Sequence, residues 1–420
     1  MIPGKLLIFM VFSVFLLSGC WDKKELEQMS YTVVIGLDVP KNVDLNKEQA
    51  VDVTFQLANP KMNIKGAPVD EEHPERNIVT LTAPDIVTAK NMANSSITRQ
   101  ISFSHSRAII VSEELAKKDV FYQFLGSVLK EREIRRETSL IITKGKASEF
   151  IRNNKPELLI RPHKYYQFMI ERSVETGMVP ESTLNRLMAI TDGDADVFLA
   201  IYGDVNKKSG NNEFNQEDHY TAGRVPKEGG NSIQLMGSAV IKEGKMIGTL
   251  TGEETRSAIF LDNTSKVEDM FVSYTDPLHK KFKVAMRLKK KNHTKVKVYR
   301  RNGPIKITAH VPIEAELLSV PSFEDYAHDI KKQTILKKML EKEIQKHMMN
   351  VVIKSQREFK SDPFYWSLYA RPLFWTVKEY EKWDWTHKRY PFADIDIKVD
   401  VEITGFGKQM KESEMDKVRD

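Results

Sequence analysis

Apolar residues occupy every second position from Ile305 to Leu317: Ile305, Ile307, Ala309, Val311, Ile313, Ala315 and Leu317. A helix would spread such a series around its circumference, whereas a strand lines it on one face. This stretch therefore commits the C-terminal part of the chain to a sheet with a covered side. Phe282, Val284, Met286 and Leu288 repeat the pattern, and Ser238 to Ile241 and Met246 to Leu250 flank Glu243-Gly244-Lys245 as a hairpin would. Near the end Ile395, Ile397, Val399, Val401 and Ile403 alternate strictly with Asp394, Asp396, Lys398, Asp400 and Glu402. One wet and one buried face is the habit of an antiparallel sheet, which is the expectation here. The cover is expected to be a helix from about Phe323 to Phe359, on which Ile330, Leu336, Leu340, Ile344, Met348 and Val351 recur and which Pro363 stops.

The N-terminal half reads differently. Tyr31 to Leu37 is rich in Val and Ile, and Val51, Val53, Phe55 and Leu57 alternate with Asp52, Thr54 and Gln56, so both are expected to be strands. Thr82-Ala83-Pro84-Asp85 then precedes Ile86, Ala89, Ala93 and Ile97 on one helical face, a helix start. Arg107 to Val111 and Thr138 to Thr143 read as further strands, with a helix capped by Ser112 between them. At 420 residues the chain is too long for one core. The expected class is α+β, with at least two mixed α/β lobes. The N-terminal lobe alternates strands and helices on a sheet; the C-terminal lobe is a largely antiparallel sheet covered by a long helix. The periodicity fades from Asp192 to Gly230, which includes Lys207-Lys208-Ser209-Gly210-Asn211-Asn212 and Glu228-Gly229-Gly230. The expected division is an N-terminal domain over 20–195, a polar glycine-rich linker over 196–232, a C-terminal domain over 233–408 and a charged tail over 409–420.

The first residues set the compartment. Lys5 supplies a positive start, Leu6 to Leu17 is an apolar run broken only by Ser13, and Leu17-Ser18-Gly19-Cys20 closes it. This is the pattern of a signal peptide, expected over 1–19 and removed. The run is well short of the roughly 20 residues that span a bilayer as a helix. Cys20 is the only cysteine and follows small residues, so it is expected to be the lipidated residue, carrying S-diacylglycerol and an N-acyl chain. Two or more lipid chains hold a protein stably on its membrane. A single cysteine also excludes an intrachain disulfide and a cysteine-type zinc fold. The 64 basic and 58 acidic residues are too nearly balanced to suggest a whole-molecule nucleic-acid binder.

Signals for chemistry are sparse, and no catalytic, cofactor-binding or metal-ligating residue is expected. No two of the ten histidines lie closer than 14 positions, so no His-Glu-x-x-His spacing exists. Asp192-Gly193-Asp194-Ala195-Asp196 begins like a calcium loop but has Val197 where glycine is needed. No Gly-x-Ser-x-Gly elbow occurs, and Gly405-Phe406-Gly407 lacks a third glycine. Glu253-Glu254 could be a carboxylate pair for hydrolysis, but adjacent acids more often occupy a first helical turn, where negative charge suits the dipole. Lys280 to Arg301 holds eleven basic residues and no acid, which fits either the solvated face of a hairpin or a surface toward anionic lipid. Phe364-Tyr365-Trp366, Tyr369, Phe374-Trp375, Tyr380, Trp383 and Trp385 fit either a docking surface or, preferably, a wedge onto the core.

Several segments together resemble the Ger(x)C family, the lipoprotein C subunits of spore germinant receptors. They are Gly19-Cys20-Trp21-Asp22 with Glu25-Leu26; Val34-Ile35-Gly36-Leu37-Asp38; Ser102-Phe103-Ser104-His105 through Ile109-Ile110-Val111 and Glu113-Glu114-Leu115-Ala116; and Glu133-Ile134-Arg135-Arg136. Gly237-Ser238-Ala239-Val240, Gly248-Thr249-Leu250-Thr251-Gly252-Glu253-Glu254-Thr255-Arg256 and Asp362-Pro363-Phe364 continue the series in the same order. The chain departs from the family at Tyr365-Trp366-Ser367, where relatives usually continue with Gly-Phe-Gly. The resemblance implies a non-enzymatic lipoprotein on the outer face of the spore inner membrane. It would work with integral membrane A and B subunits to pass a nutrient signal, with Cys20 the one functional position carried over. Two other readings stand beside it: a solute-binding lipoprotein, which should close two similar lobes over a ligand, and an envelope hydrolase using Glu253 and Glu254.

Overall fold

A computed structural model describes residues 28–45, 47–58, 78–155, 162–191, 197–206, 218–265, 268–301 and 303–407. In chain order the first part holds β1 (Met29–Asp38), β2 (Val51–Leu57), β3 (Ile78–Ala83), α1 (Ile86–Asn94), β4 (Gln100–Ser102), β5 (Ala108–Ser112), α2 (Glu113–Ala116), α3 (Phe121–Lys130), β6 (Ser139–Thr143), α4 (Ala147–Asn153), α5 (Pro162–Glu175), α6 (Leu184–Thr191), β7 (Val197–Val205), β8 (Ile233–Lys242) and β9 (Lys245–Leu250). Their strands form one sheet in the order β3-β2-β1-β5-β6-β7-β8-β9, with β4 beside β1. The middle, β1-β5-β6-β7, is parallel and the flanks are antiparallel. Parallel pairing needs crossovers that lay helices on both faces, so its strands are buried on both sides. Every residue of β5 and β6 is indeed buried. Ile35, Ile109 and Leu140 face a core shared with α1, α3 and α6, while Val34, Ile110 and Ile141 face α4 and α5.

The second part holds α7 (Gly252–Leu261), β10 (Met270–Thr275), β11 (Lys283–Lys290), β12 (Lys295–Tyr299), β13 (Lys306–Ser319), α8 (Ile330–Lys354), α9 (Ser367–Ala370), α10 (Val377–Trp383) and β14 (Asp394–Gly405). The alternation from Ile305 to Leu317 becomes β13, buried and half-buried by turns. β11 and β12 pair with successive parts of one edge of β13, Lys290 opposite Ile313 and Lys295 opposite His310, while β14 takes the other edge. Leu336, Leu340, Ile344, Met348 and Val351 of α8 cover the inner face.

Three expectations need correction. Polar residues 196–232 do not separate two domains, because β7 lies inside them and β8 and β9 beyond them complete the first sheet. Val197 to Tyr202 is apolar toward both faces, so it carries no period-two signal. Strand β14 runs parallel, not antiparallel, to β13: alternation reports which face is covered, not strand direction, and α8 supplies the crossover. The long helix starts at Asp329, not near Phe323. Asp329 accepts from Lys331 and Lys332 N–H at 2.9 and 3.2 Å, whereas Phe323 is exposed in a left-handed conformation.

Both sheets meet in one core. Val197, Leu199, Val240 and Leu250 of the first sheet share it with Met286, Val311 and Val401 of the second, and α7 lies between them with every residue but Glu253 and Glu254 buried. Among the described residues no helix is long and apolar enough to cross a membrane.

Candidate functional site

The first turn of α7 is built by its neighbours. Thr251 Oγ1 accepts from Glu254 N–H at 3.2 Å and Glu254 Oε2 accepts from Thr251 N–H at 2.8 Å, a reciprocal cap. Lys354 Nζ reaches both Glu254 oxygens at 2.9 Å. Glu254 is thus fully engaged. The segment 218–220 runs alongside, its Asp218 carbonyl accepting from Glu253 N–H at 2.7 Å and its Tyr220 carbonyl from Gly252 N–H at 3.0 Å. A Cβ at Gly252 would stand 2.9 Å from that Asp218 oxygen, which is why the approach needs glycine.

Glu253 turns the other way from Glu254, toward two histidines. His219 Nε2 touches Glu253 Oε2, and His347 Nδ1 of α8 stands 3.5 Å from the same oxygen. The two rings lie edge-on with centroids 6.2 Å apart, and Tyr274 of β10 stacks on His347 at 6.1 Å. Glu343, one turn earlier on α8, places Oε2 3.9 Å from His347 Nε2. Asp218 is held by buried Arg256, whose Nη1 donates at 2.8 Å and whose Nη2 donates to the Thr176 carbonyl at 3.3 Å. Burial pushes the Glu253 carboxyl above its usual range; His347 and His219 oppose this, and Asp218 and Glu254 reinforce it. The cluster can hold a proton or a cation. The two carboxylates serve different partners: Glu254 meets Lys354 and the Thr251 N–H, Glu253 the two histidines.

Sequence reasoning found Glu253 and missed the rest. His219 and His347 are far apart in sequence, and Asp218-His219 sits in a stretch that reads as linker, so no local spacing announces the site.

The other sequence-derived positions fall out as follows. Cys20, Asp192 to Asp196 and Lys207 to Asn212 lie outside the described residues. Four of the eleven basic residues in this stretch pair with acids from elsewhere: Lys289 and Arg287 with Asp269, Arg287 also with Glu316, Lys291 with Glu402 and Arg301 with Asp394. Burial pulls the Lys290 ammonium down to about 8, and its Nζ donates to the Asp262 carbonyl at 2.8 Å. Among the described residues no carboxylate lies within ion-pair distance of Lys280, Lys281, Lys295 or Lys297. Of the aromatic stretch, Phe364, Tyr365, Trp366, Tyr380 and Trp385 are buried, while Trp375 is 97% exposed.

Residues 22–203 match the family described as spore germination protein N-terminal domain, and residues 236–407 that described as spore germination B3/GerAC like, C-terminal. Spore germination protein B3 of Bacillus subtilis (strain 168) is 24% identical over 409 residues, covering 95% of this chain and 96% of that protein. Spore germination protein KC of the same organism is 25% identical over 414 residues, covering 96% and 95%. The crystal structure of the GerBC protein shares the fold, with a TM-score of 0.50 at 18% identity over 91% of this chain and 99% of that one.

Proposed function

The chain belongs to the GerAC-like family of spore germination proteins, and from that premise we propose that it is the lipid-anchored C subunit of a nutrient germinant receptor. It is a non-enzymatic component that assembles with integral membrane A and B subunits. The observation that carries this reading is the end-to-end family match together with Cys20 placed directly after an apolar leader and Leu17-Ser18-Gly19. Lipidation there keeps the folded part on the outer face of the spore inner membrane. Lys280, Lys281, Lys295 and Lys297 add attraction to anionic headgroups or to an acidic partner. A solute-binding lipoprotein would close two similar lobes over a cleft; unlike sheets joined by one core give that reading no support.

Release of dipicolinic acid after nutrient addition, in spores where this receptor acts alone, tests the proposal. Cys20→Ala spores are expected to lose the nutrient response and to keep the response to a non-nutrient trigger. Equal nutrient responses in the two strains would overturn the lipid-anchored reading.

A further inference from the structure

We propose that the end of the second sheet carrying Trp375 and Phe392 is a docking surface for a bilayer that contains anionic lipid, with Trp375 seated at headgroup depth. The inference deepens the proposed function. It rests on the lipid-anchored reading for which end meets the membrane, whereas the surface itself is read from the fold.

Three segments meet at this end, because β12 finishes where β13 and β14 begin: Tyr299 lies opposite Lys306, and Lys306 opposite Asp394. The Arg300 guanidinium stands 4.6 Å from the Phe374 ring centroid, and Arg301 Nη1 4.0 Å from an Asp394 carboxylate oxygen. This pair therefore sits between the loop that carries Trp375 and the turn that carries Phe392. Phe374 has an extended backbone, which sends neighbouring side chains to opposite sides. Its ring packs inward on Tyr380 and Trp383, with centroids 5.7 and 4.9 Å apart, so Trp375 points outward. Glu379 Oε2 accepts from Trp375 N–H and Thr376 Oγ1 from Glu379 N–H, both at 3.3 Å, and these bonds hold the loop in that shape.

Exposure and charge identify the occupant. Trp375, Val377 and Phe392 are 97, 71 and 68% exposed. Large apolar side chains gathered at one end and left in water mark an interaction surface. Segments 299–301, 371–378 and 388–394 hold six basic residues and one acid, Asp394. Apolar and aromatic side chains set among Lys and Arg are the composition of interfacial membrane contacts, where tryptophan lies among the headgroups and the cations meet anionic lipid. The aromatic stretch that leads to Trp375 is also rooted at the edge where the described chain begins. Tyr365 Oη donates to the carbonyl of Val197, the first residue of β7, and β1 runs in the same direction within that sheet. From Cys20 to residue 28 the chain reaches at most about 29 Å, so lipid at Cys20 would keep this edge beside the bilayer. Lys280 and Lys281 precede β11 at the other end of the sheet, where Ala285 lies opposite Ser319, roughly 45 Å away along β13. A bilayer at Trp375 leaves those two lysines for an acidic partner.

The test uses the chain from residue 20 with Cys20→Ser, which cannot be lipidated, so its outcome is separate from whether Cys20 is the anchor. Vesicles of phosphatidylglycerol and phosphatidylcholine in equal parts are expected to sediment it at about 0.1 M salt and to retain much less at about 0.5 M. Phosphatidylcholine alone should retain little. Tryptophan emission should shift to the blue on binding and be quenched by brominated lipid, and Trp375→Phe should remove most of that quenching. Trp375→Ser/Phe392→Ser should weaken binding by about tenfold or more, and Arg300→Glu/Lys378→Glu should weaken it and flatten the salt dependence. All four side chains are exposed, so the melting temperature should hold in both variants. Phe323→Ser/Lys281→Glu, the like exchange at the opposite end, should bind as the parent chain does. No binding to the anionic vesicles, unchanged binding in folded Trp375→Ser/Phe392→Ser, or an equal loss in Phe323→Ser/Lys281→Glu would each overturn the proposal. A dimer in solution that Trp375→Ser abolishes would give the surface to a second copy of the chain and overturn it as well.

Discussion

Asp38, Glu133, Glu254 and Asp362 all lie in the segments through which the chain resembles its family, and each aims its carboxylate at backbone N–H groups. Asp38, buried at the end of β1, accepts from Ala147 and Ser148 N–H at 2.7 and 2.9 Å and so caps α4 from a distant strand. Glu133 accepts from Phe103 N–H at 2.6 Å, and Asp362 from Phe364 and Ser367 N–H at 2.9 and 3.0 Å. Charged acceptors make the stronger hydrogen bonds, so these residues fix loops and helix starts rather than perform chemistry. Asp276 belongs to the same class. Burial works to raise its pKa, but the Ser322 and Tyr326 hydroxyls at 2.5 and 2.6 Å and the N–H groups of Leu278 and His279 outweigh it and hold the carboxyl below its usual range. The unfolded carboxyl titrates near about 3.9, so the native state gains stability from Asp276 above that pH and loses it as pH falls through the lower folded value. Asp276→Asn is therefore expected to melt below wild type at pH 7, with the gap narrowing below about pH 4. Thermal melts at neutral and acid pH check it, and a gap that does not change with pH would refute the assignment. The partners of Asp38 and Glu133 and the two hydroxyls on Asp276 were not legible from the sequence, because only the fold brings them together, whereas Glu254 and Asp362 reach N–H groups within a few residues.

Elements were more legible than contacts. Alternation identified β13 and β14, the Glu243-Gly244 turn identified the β8-β9 hairpin, and the adjacent acids Glu253 and Glu254 marked a first helical turn. Direction and sheet membership stayed hidden, since neither leaves a mark on residue type. The stretch after Asp362 shows how a local departure is read only once it is placed. Tyr365 and Trp366, at the point where the resemblance led one to expect Gly-Phe-Gly, tie the loop to β7 and α7: Tyr365 Oη donates to the Val197 carbonyl of β7 at 2.9 Å, and Trp366 Nε1 to the Leu261 carbonyl of α7 at 3.2 Å. Arg186 lies over the Tyr365 ring with its guanidinium 5.0 Å from the centroid. Trp366 is fully buried, so Trp366→Ala should cost about 3–5 kcal/mol through the cavity it leaves. Tyr365→Phe keeps the ring and removes one hydrogen bond from a buried carbonyl, which should cost about 1 kcal/mol. Denaturant titration of both variants separates the two effects; equal losses would mean that the loop packs as a hinge rather than as a wedge.

At the scale of the whole molecule, the two family-matched stretches divide the chain where its sequence is most polar, yet the sheet runs through that division. Residues 22–203 end within β7, and the second match begins in β8, the strand that pairs with β7 from Val197 opposite Lys242 to Val205 opposite Ile233. Gly237 N–H also donates to the Met178 carbonyl at 2.8 Å, and Arg256 of α7 reaches back to Thr176. With α7 buried between the sheets, removing either stretch strips one side from the core that the two sheets share. A fragment ending at Asn211 would leave β7 as an edge strand, apolar on both faces, the arrangement most prone to aggregate. The chain is therefore expected to act as one folding unit. A protease site inserted between Asn211 and Asn212 of the full chain gives the test: after cleavage the two pieces should co-elute in native buffer and part only in denaturant. The fragment 20–211 expressed alone should be insoluble. Pieces that separate under native conditions, or a soluble 20–211 with a cooperative melt, would show that the polar stretch joins independent domains after all. Co-elution would place any signal relayed between membrane partners on a rigid body rather than on a hinge, because a sheet continuous across the division leaves no joint there to bend.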